Sequence, residues 1–352
     1  MATPEDRKYE PIPGVDFLKR DRLPLKKDQH PDRRADSATE AIITIYSLPA
    51  KEETLRKFCN TYLNDLKLPN DIRFELIDPA VYLIVRYNDQ EKPREVAFSI
   101  PVWWTQQEDE KRINKGLALI SPFIFSETDV DAIIDRELNG RPTMDATLTD
   151  KSDGRRGLNA KKPDLDLETE VVLAPDINQP ATDKTIVKIE HKEKEQKGKA
   201  PEDLVREILA HGFQHIILKQ FRDADEPNRA CYQALVRFSE KIKPREISEP
   251  NEATVTIAQY SNCPIVQILD LIGKKGEEQE GRIVKKIAML QPQWTLFMKV
   301  NLEQEVGKTI CWRAGTGDWK RGEAEEESPR DDSPMQDPGV QSLRDPDRAG
   351  RY

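Results

Sequence analysis

Several features that mark large protein classes are scarce or missing in this sequence. Only 7% of its 352 residues are aromatic, 37% are hydrophobic, and mean hydropathy is −0.73. A chain so poor in apolar residues is not expected to pack along its whole length. No run approaches the roughly 18 apolar residues of a membrane span, so no membrane partner is expected. The opening "MATPEDRKYEPIPG" lacks the apolar core of a secretory leader. Four cysteines (Cys59, Cys231, Cys263, Cys311) are scattered without a C-x-x-C pair. In a chain of this length that implies reduced thiols and a cytoplasmic setting. Basic excess is absent as well: 55 Lys and Arg face 64 Asp and Glu, a net charge of −9. Such a field repels phosphate, and a nucleic-acid partner is not expected.

Motifs for common chemistries are missing too. There is no P-loop, no strand-linked G-x-G-x-x-G and no G-x-S-x-G elbow, and "GTGDW" near the C-terminal end is not a phosphate cradle. His211 and His215 in "HGFQH" have the i, i+4 spacing of a helical metal pair. Gly212 between them ends the helix, and no third ligand is evident. Neither a metal nor a cofactor is expected.

What is present is a strand-rich middle between two polar ends. Residues 1–37 are dense in Pro, Asp, Lys and Arg and read as a disordered arm; residues 313–352 read as a disordered acidic tail. Between them "EAIITIYSL", "IRFELI", "AVYLIVRY", "EVAFSIPVWW" and "LALISPFIF" are short apolar, β-branched runs separated by turn residues. "KEETLRKFCNTYLNDL" places Leu55, Phe58, Cys59, Tyr62, Leu63 and Leu66 on one helical face. A second helix is expected over 127–138, and a third over "PEDLVREILAHGF". The stretch 149–200 is charged and reads as an insertion of loops around two strands, "EVVLA" and "TIVKIEH". Further strands, "HIILKQF", "ACYQALVRFS", "ATVTIAQY", "RIVKKIAML" and "WTLFMKVNL", follow with a short helix "PIVQILDLIG". The strands lie too close together for helical crossovers. The fold class is therefore α+β: a mainly antiparallel sheet or closed β-barrel with a few helices packed outside.

Two stretches stand out. In "RELNGRPTMDATL" (Arg136–Leu148) a helix ends at Asn139-Gly140 and a turn follows, an arrangement that can carry Arg136 and Arg141 to the mouth of a cavity. Gly140 suits the left-handed position past a helix C-terminus. In "EVAFSIPVWW", alternation puts Glu95, Ala97, Ser99 and Pro101 on one face and Val96, Phe98, Ile100 and Val102 on the other. The bulky face is expected to pack under helices and the small, polar face to look into a cavity. Trp103 and Trp104 then place one ring on each side.

The order of these motifs resembles the acetoacetate decarboxylase-like family over roughly Glu40 to Trp312, with the insertion near 149–200. "DAIIDRELNGRP" resembles that family's helix and Gly-aromatic-Pro turn. Glu95 stands six residues before Pro101-Val102, as a family glutamate does. "LKQFRDADEPNRACYQALV" resembles its L-K, Asp, P-R-x-C run, with Asn228 inserted. "CPIVQIL" is similar to a later helix start. The resemblance implies a closed barrel with an interior cavity for small keto acids, and self-association as a homo-oligomer.

The departures bear on chemistry. The family's imine-forming lysine, activated by desolvation and a neighbouring cation, falls at Thr143, and its companion at Met144. The turn's aromatic is Arg141, and a carboxylate in the strand before Glu95 falls at Leu83. Lys219 is the one matched lysine left, and in the family that lysine does not form the imine.

Three readings stay open. In the first, the chain is a lyase-type enzyme working through an enolate of a keto acid or polyketide-like substrate without a Schiff base. Glu95 then moves the proton, Arg141 or Arg136 holds the anion, and Thr143, Trp104 and Lys219 contact substrate. In the second it is a non-catalytic binding protein on the same barrel. In the third the charged ends carry a partner-binding role. A closed pocket holding Glu95 opposite an arginine favours the first; a filled barrel favours the third.

Overall fold

The apolar runs read between residues 40 and 126 are realised as a meander of long strands. A computed structural model describes residues 39–87, 93–108, 111–127, 140–151, 166–173, 182–195, 198–222, 230–260, 263–280, 283–304, 307–314 and 317–321. The expected arm, most of the expected tail and the expected helix at 127–138, from residue 128 on, lie outside the described residues. In chain order the elements are β1 (Thr39–Pro49), α1 (Glu52–Tyr62), β2 (Arg73–Leu76), β3 (Ala80–Tyr87), β4 (Pro93–Glu108), β5 (Lys111–Ser126), β6 (Thr143–Asp145) and β7 (Thr147–Asp150). They continue with β8 (Leu167–Leu173), β9 (Thr182–Glu195), α2 (Glu202–His211), β10 (Phe213–Arg222), β11 (Ala230–Ser248), β12 (Asn251–Ala258) and α3 (Ile265–Leu269). The last are β13 (Lys274–Glu280), β14 (Ile283–Leu290), β15 (Thr295–Gln304), β16 (Lys308–Ala314) and β17 (Lys320–Arg321).

The first sheet runs β10-β5-β4-β3-β1-β15-β11-β16-β17, and β10 also pairs with β11. The hydrogen bonding of β10, β5, β4, β3, β1, β15 and β11 therefore returns on itself as a closed ring. Its pairings are antiparallel except the short β10–β5 contact at Gln214↔Ala118 and His215↔Leu119. A second sheet, β13-β14-β12-β9-β8-β7, draws β8 and β9 from the charged 149–200 stretch. There Leu167, Val171, Ile186, Val187 and Ile189 are buried, so the described part of this stretch forms a sheet with an apolar buried side.

Two apolar clusters organise the core. One gathers Ile43 and Ile45 of β1, Tyr82 and Ile84 of β3, Leu117 and Leu119 of β5, Phe213 of β10, Ile242 of β11, and Leu296 and Met298 of β15. This face also carries the Arg86–Glu240 pair, which joins β3 to β11 across two intervening strands and marks it as the inner one, and α2 adds Leu204 and Ile208 to the cluster. The other cluster takes the opposite strand faces (Val81, Leu83 and Val85; Val96, Phe98 and Ile100) and joins them to the second sheet, to Leu55 and Cys59 of α1, and to Ile265 and Leu269 of α3. Full burial of one such Val, Leu, Ile or Phe side chain contributes about 1.5–3 kcal/mol, so both faces of the ring are strongly held.

Order persists beyond the expected start of the tail at 313. β16 runs to Ala314, β17 follows, and Trp319 donates its indole N–H to Leu66 O at 2.9 Å. Arg313 lies over the Trp319 ring, 4.8 Å from its centroid. No helix among the described residues is long and apolar enough to cross a membrane.

Candidate functional site

Five ionisable side chains meet inside the ring. In the β3–β4 hairpin Arg86 stands directly opposite Glu95, and opposed residues in an antiparallel pair point to the same side. That side is the face of Tyr82 and Ile84, which belong to the interior cluster. Arg86 crosses the interior to Glu240 of β11, donating from Nη1 to Oε1 at 2.6 Å and from Nη2 to Oε2 at 2.7 Å. In ring order β3 and β11 are separated by β1 and β15, so this bidentate pair spans the ring rather than running along its wall. His215 of β10 sets Nε2 3.2 Å from both Arg86 Nη2 and Glu240 Oε2. On the other side of Arg86, Nε lies 3.3 Å from Glu95 Oε1, and Arg141 donates from Nη2 to Glu95 Oε2 at 2.7 Å. Arg141, Glu95, Arg86 and Glu240 thus alternate in charge along one chain, with His215 at its Glu240 end.

The chain is buried. Side-chain exposure is 6% for Glu240, 9% for Arg86, 12% for Glu95 and 16% for Arg141. Burial alone would lift Glu95 above the usual carboxylate range, but Arg141 and Arg86 outweigh it and hold Glu95 below that range. Burial likewise opposes ionisation of Glu240, and Arg86 and His215 overcome it, leaving Glu240 well below its ordinary value. Arg86 feels the same desolvation, but Glu240 and Glu95 reverse it and raise its proton affinity. The cations that decide the direction at Glu95 are Arg141 and Arg86. One contact in the chain is not satisfied: Glu95 Oε1 accepts no hydrogen bond and Arg86 Nε donates none, although they face each other. They are paired by charge but misaligned for a hydrogen bond.

Two glycines let the chain assemble. Gly140 has φ 75°, and a Cβ on it would come within 2.6 Å of Lys219 Cβ and Cγ. Only glycine allows the turn carrying Arg141 to press against β10. Gly212 (φ 70°) ends α2, where its N–H donates to Ile208 O at 2.8 Å. A Cβ there would fall 1.8 Å from Glu240 O, so this glycine sets β10 against β11 at Glu240.

The residues singled out in the sequence are distributed as follows. Glu95 and Arg141 are brought together. Thr143 is fully buried on β6, and its N–H donates to Arg141 O at 2.8 Å. Lys219 shares the His215 face of β10, with its ammonium 4.9 Å from the Phe221 ring centroid. Arg136 lies outside the described residues. Trp104 is on the face opposite Glu95, donating its N–H to Gln214 Oε1 at 2.9 Å; alternation gives Trp103, not Trp104, to the Glu95 side. Leu83 also faces away, into the second cluster, so the position opposite Glu95 belongs to Arg86, a cation where a carboxylate was sought at Leu83. His211 is exposed near Glu207 while His215 is interior, so the i, i+4 pair diverges.

Sequence reasoning missed Arg86 and Glu240, and weighed His215 only as half of a metal pair. A lone charge closing the apolar strand "AVYLIVRY" was the available signal for Arg86. A cavity of about 260 Å³ lies elsewhere, between α1 and β2, lined by Arg56, Cys59, Asn64, Arg73 and Phe74 among others; Glu95 does not line it.

No protein-family model and no curated protein matches the chain. Among solved structures it is similar to an acetoacetate decarboxylase at 9% identity and a TM-score of 0.44, over 77% of this chain and 89% of that one. A second acetoacetate decarboxylase, from Legionella pneumophila, aligns at 12% identity and a TM-score of 0.45, covering 77% and 87%. The enduracididine biosynthesis enzyme MppR, in complex with pyruvate, aligns at 10% identity and 0.35, covering 82% and 95%.

Proposed function

We propose that the chain is a small-molecule enzyme of the lyase type, with its site at the Glu95–Arg141 end of the interior charge chain. Its substrate is a small keto acid or a polyketide-like relative. The observation that carries this reading is the Arg141–Glu95 pair, 2.7 Å apart and buried in a closed ring. Burying charges costs more than their attraction usually returns, so an apolar interior would hold the ring at least as well. Buried, mutually perturbed ionisable groups are a mark of functional sites.

The roles follow from the chemistry of each group. Arg141, the most exposed of the four charged side chains whose exposures are given above, holds the substrate carboxylate with its guanidinium fork. Glu95 moves the proton at the carbon next to the carbonyl. Loss of CO2, loss of water and tautomerisation all pass through the enolate such a pair would stabilise. Thr143 stands where the resembling family has its amine, so the reaction runs without an imine. Lys219 and Arg136 are proposed as substrate contacts, Lys219 as a cation on the interior face of β10 and Arg136 from just before the turn. The depressed proton affinity of Glu95 favours a second reading, because a carboxylate held ionised is a weak base. In that reading the ring binds the same ligand class without turning it over.

The test is a search by native mass spectrometry for small acids retained by the protein from extracts of its own cells. Retention of a low-mass carboxylic acid by the wild type, lost in Arg141→Gln, supports the site. Equal retention by both, or none, overturns it. Once a substrate is known, Glu95→Gln separates enzyme from binding protein. A loss of roughly 10²-fold or more in turnover, with binding kept, is expected of the enzyme.

A further inference from the structure

The interior face carries two guanidinium groups, Arg86 and Arg141, and two carboxylates, Glu95 and Glu240, with His215 beside Glu240 and Lys219 further along β10. A carboxylate ligand arriving at Arg141 sets a second anion beside Glu95, where an unpaired buried charge is costly. A proton taken up between the two carboxylates removes that charge.

The geometry shows where that proton goes. Glu240 is held through both oxygens by Arg86 and has His215 beside it, so nothing at the Arg141 end disturbs it. Glu95 is held differently. Arg141 donates to its Oε2, while Oε1 faces Arg86 Nε without a hydrogen bond. A ligand carboxylate seated between Arg141 and Oε2 takes the guanidinium from Glu95 and sets an anionic oxygen against it. Two carboxylates in contact cannot both stay ionised, so one accepts a proton. With a proton on Oε2, Glu95 donates to the ligand oxygen, and Oε1 turns to accept from Arg86 Nε, satisfying both atoms left unpaired.

Resting on the keto-acid reading above, we propose that the site is a carboxylate-exchange switch: the ligand displaces Glu95 from Arg141, and Glu95 takes up one proton from solvent for each ligand anion bound. The step balances, with one anion and one proton entering together and no bond made or broken except O–H. It also removes the weak-base difficulty for loss of CO2, the one of the three reactions that needs no prior proton abstraction: the carbon–carboxylate bond breaks, CO2 leaves, and the protonated Glu95 delivers its proton to the resulting enolate carbon. The groups facing Glu95 are Arg86 from β3, Arg141 from the turn before β6 and Ser126 across on β5; Glu240 of β11 and His215 of β10 act through Arg86, and Lys219 lies further along the interior face of β10.

The probe is pyruvate, the smallest 2-keto acid, titrated calorimetrically into the full-length protein near pH 7 in phosphate and in Tris, whose ionisation heats differ. The difference in heat gives the protons taken up per ligand. About one is expected for the wild type and for His215→Gln, and about none for Glu95→Gln, which keeps the shape but cannot be an anion. Binding should weaken up to tenfold for each unit of rising pH in the wild type, and be flat in Glu95→Gln. Pyruvate binding with no proton uptake, or uptake that survives Glu95→Gln and vanishes in His215→Gln, overturns the switch while leaving the binding reading in place. No binding of pyruvate at tens of millimolar, or binding unaffected by Arg141→Gln, overturns the reading on which it rests.

Discussion

Replacing Arg86 by methionine isolates the energetics of the interior charge chain. The substitution keeps the side-chain volume and removes the cation shared by Glu240, through two hydrogen bonds of 2.6 and 2.7 Å, and by Glu95 at 3.3 Å. Breaking a buried ion pair from one side costs about 3–5 kcal/mol, because the remaining charge stays buried without compensation. His215 remains beside Glu240, and Arg141 beside Glu95, which places the loss near the lower figure, about 3 kcal/mol. For a folded unit of this size that corresponds to a fall in Tm of roughly 6–12 °C. The loss depends on pH in a definite direction. In the wild type both carboxylates titrate below their unfolded values, so their contribution is full above the unfolded carboxylate range and fades as pH falls through the folded values. Without Arg86, burial governs Glu240, and its proton affinity rises above the unfolded value. The deficit of Arg86→Met is therefore largest at neutral pH and shrinks as pH falls toward about 4, the unfolded glutamate value. Urea unfolding followed by circular dichroism at pH 7 and pH 5 measures it. The double variant Arg86→Met/Glu240→Leu should regain much of the loss, since an apolar pair is no worse than the ionic one. A deficit below about 1 kcal/mol, or one independent of pH and not relieved by Glu240→Leu, would refute the claim that this chain is charged and desolvated.

Other predictions concern the elements around the chain. Gly140→Ala adds a Cβ within 2.6 Å of the Lys219 side chain at a positive φ, so it should destabilise by more than about 1 kcal/mol and weaken pyruvate binding by displacing Arg141. Incubation with acetoacetate and borohydride should leave no stable adduct on an interior lysine, Lys219 included, as read by peptide mass; an adduct there would show that the site works through an imine. A chain ending at residue 312 loses the Trp319 bond to Leu66 O and should melt lower than one ending at 321, whereas equal melting would show that β17 adds nothing.

The sequence made the strands legible where apolar alternation is strong, as in 80–87 and 93–104, because burial on both faces leaves little else such a pattern can be. It placed Glu95 correctly relative to Ala97 and Ser99 for the same reason. Arg86 was within reach: the hairpin from β3 to β4 has a constant register, Tyr82↔Ser99 through Arg86↔Glu95, and a charge ending an apolar strand asks for a partner. Glu240 and His215 were not. Glu240 is 154 residues from Arg86, and its contact depends on β11 being carried opposite β3 by its pairings with β15 and β10. Local pattern carries no record of which distant strands complete a ring. The two strands read within 149–200, "EVVLA" and "TIVKIEH", are β8 and β9, but their joining with β12, β13 and β14 into a second sheet was not legible, because the pairing is between segments distant in sequence.

The central claim is that Arg141 and Glu95 receive a small carboxylate inside the ring. A crystal structure of the protein soaked in pyruvate tests it most directly. The expected result is a carboxylate seated on the Arg141 guanidinium, with Glu95 Oε2 moved from Arg141 to the ligand and Arg86 still bound to Glu240 through both oxygens. Pyruvate found only elsewhere, for instance beside Arg56 and Arg73 in the cavity between α1 and β2, with Arg141 still on Glu95, would contradict it.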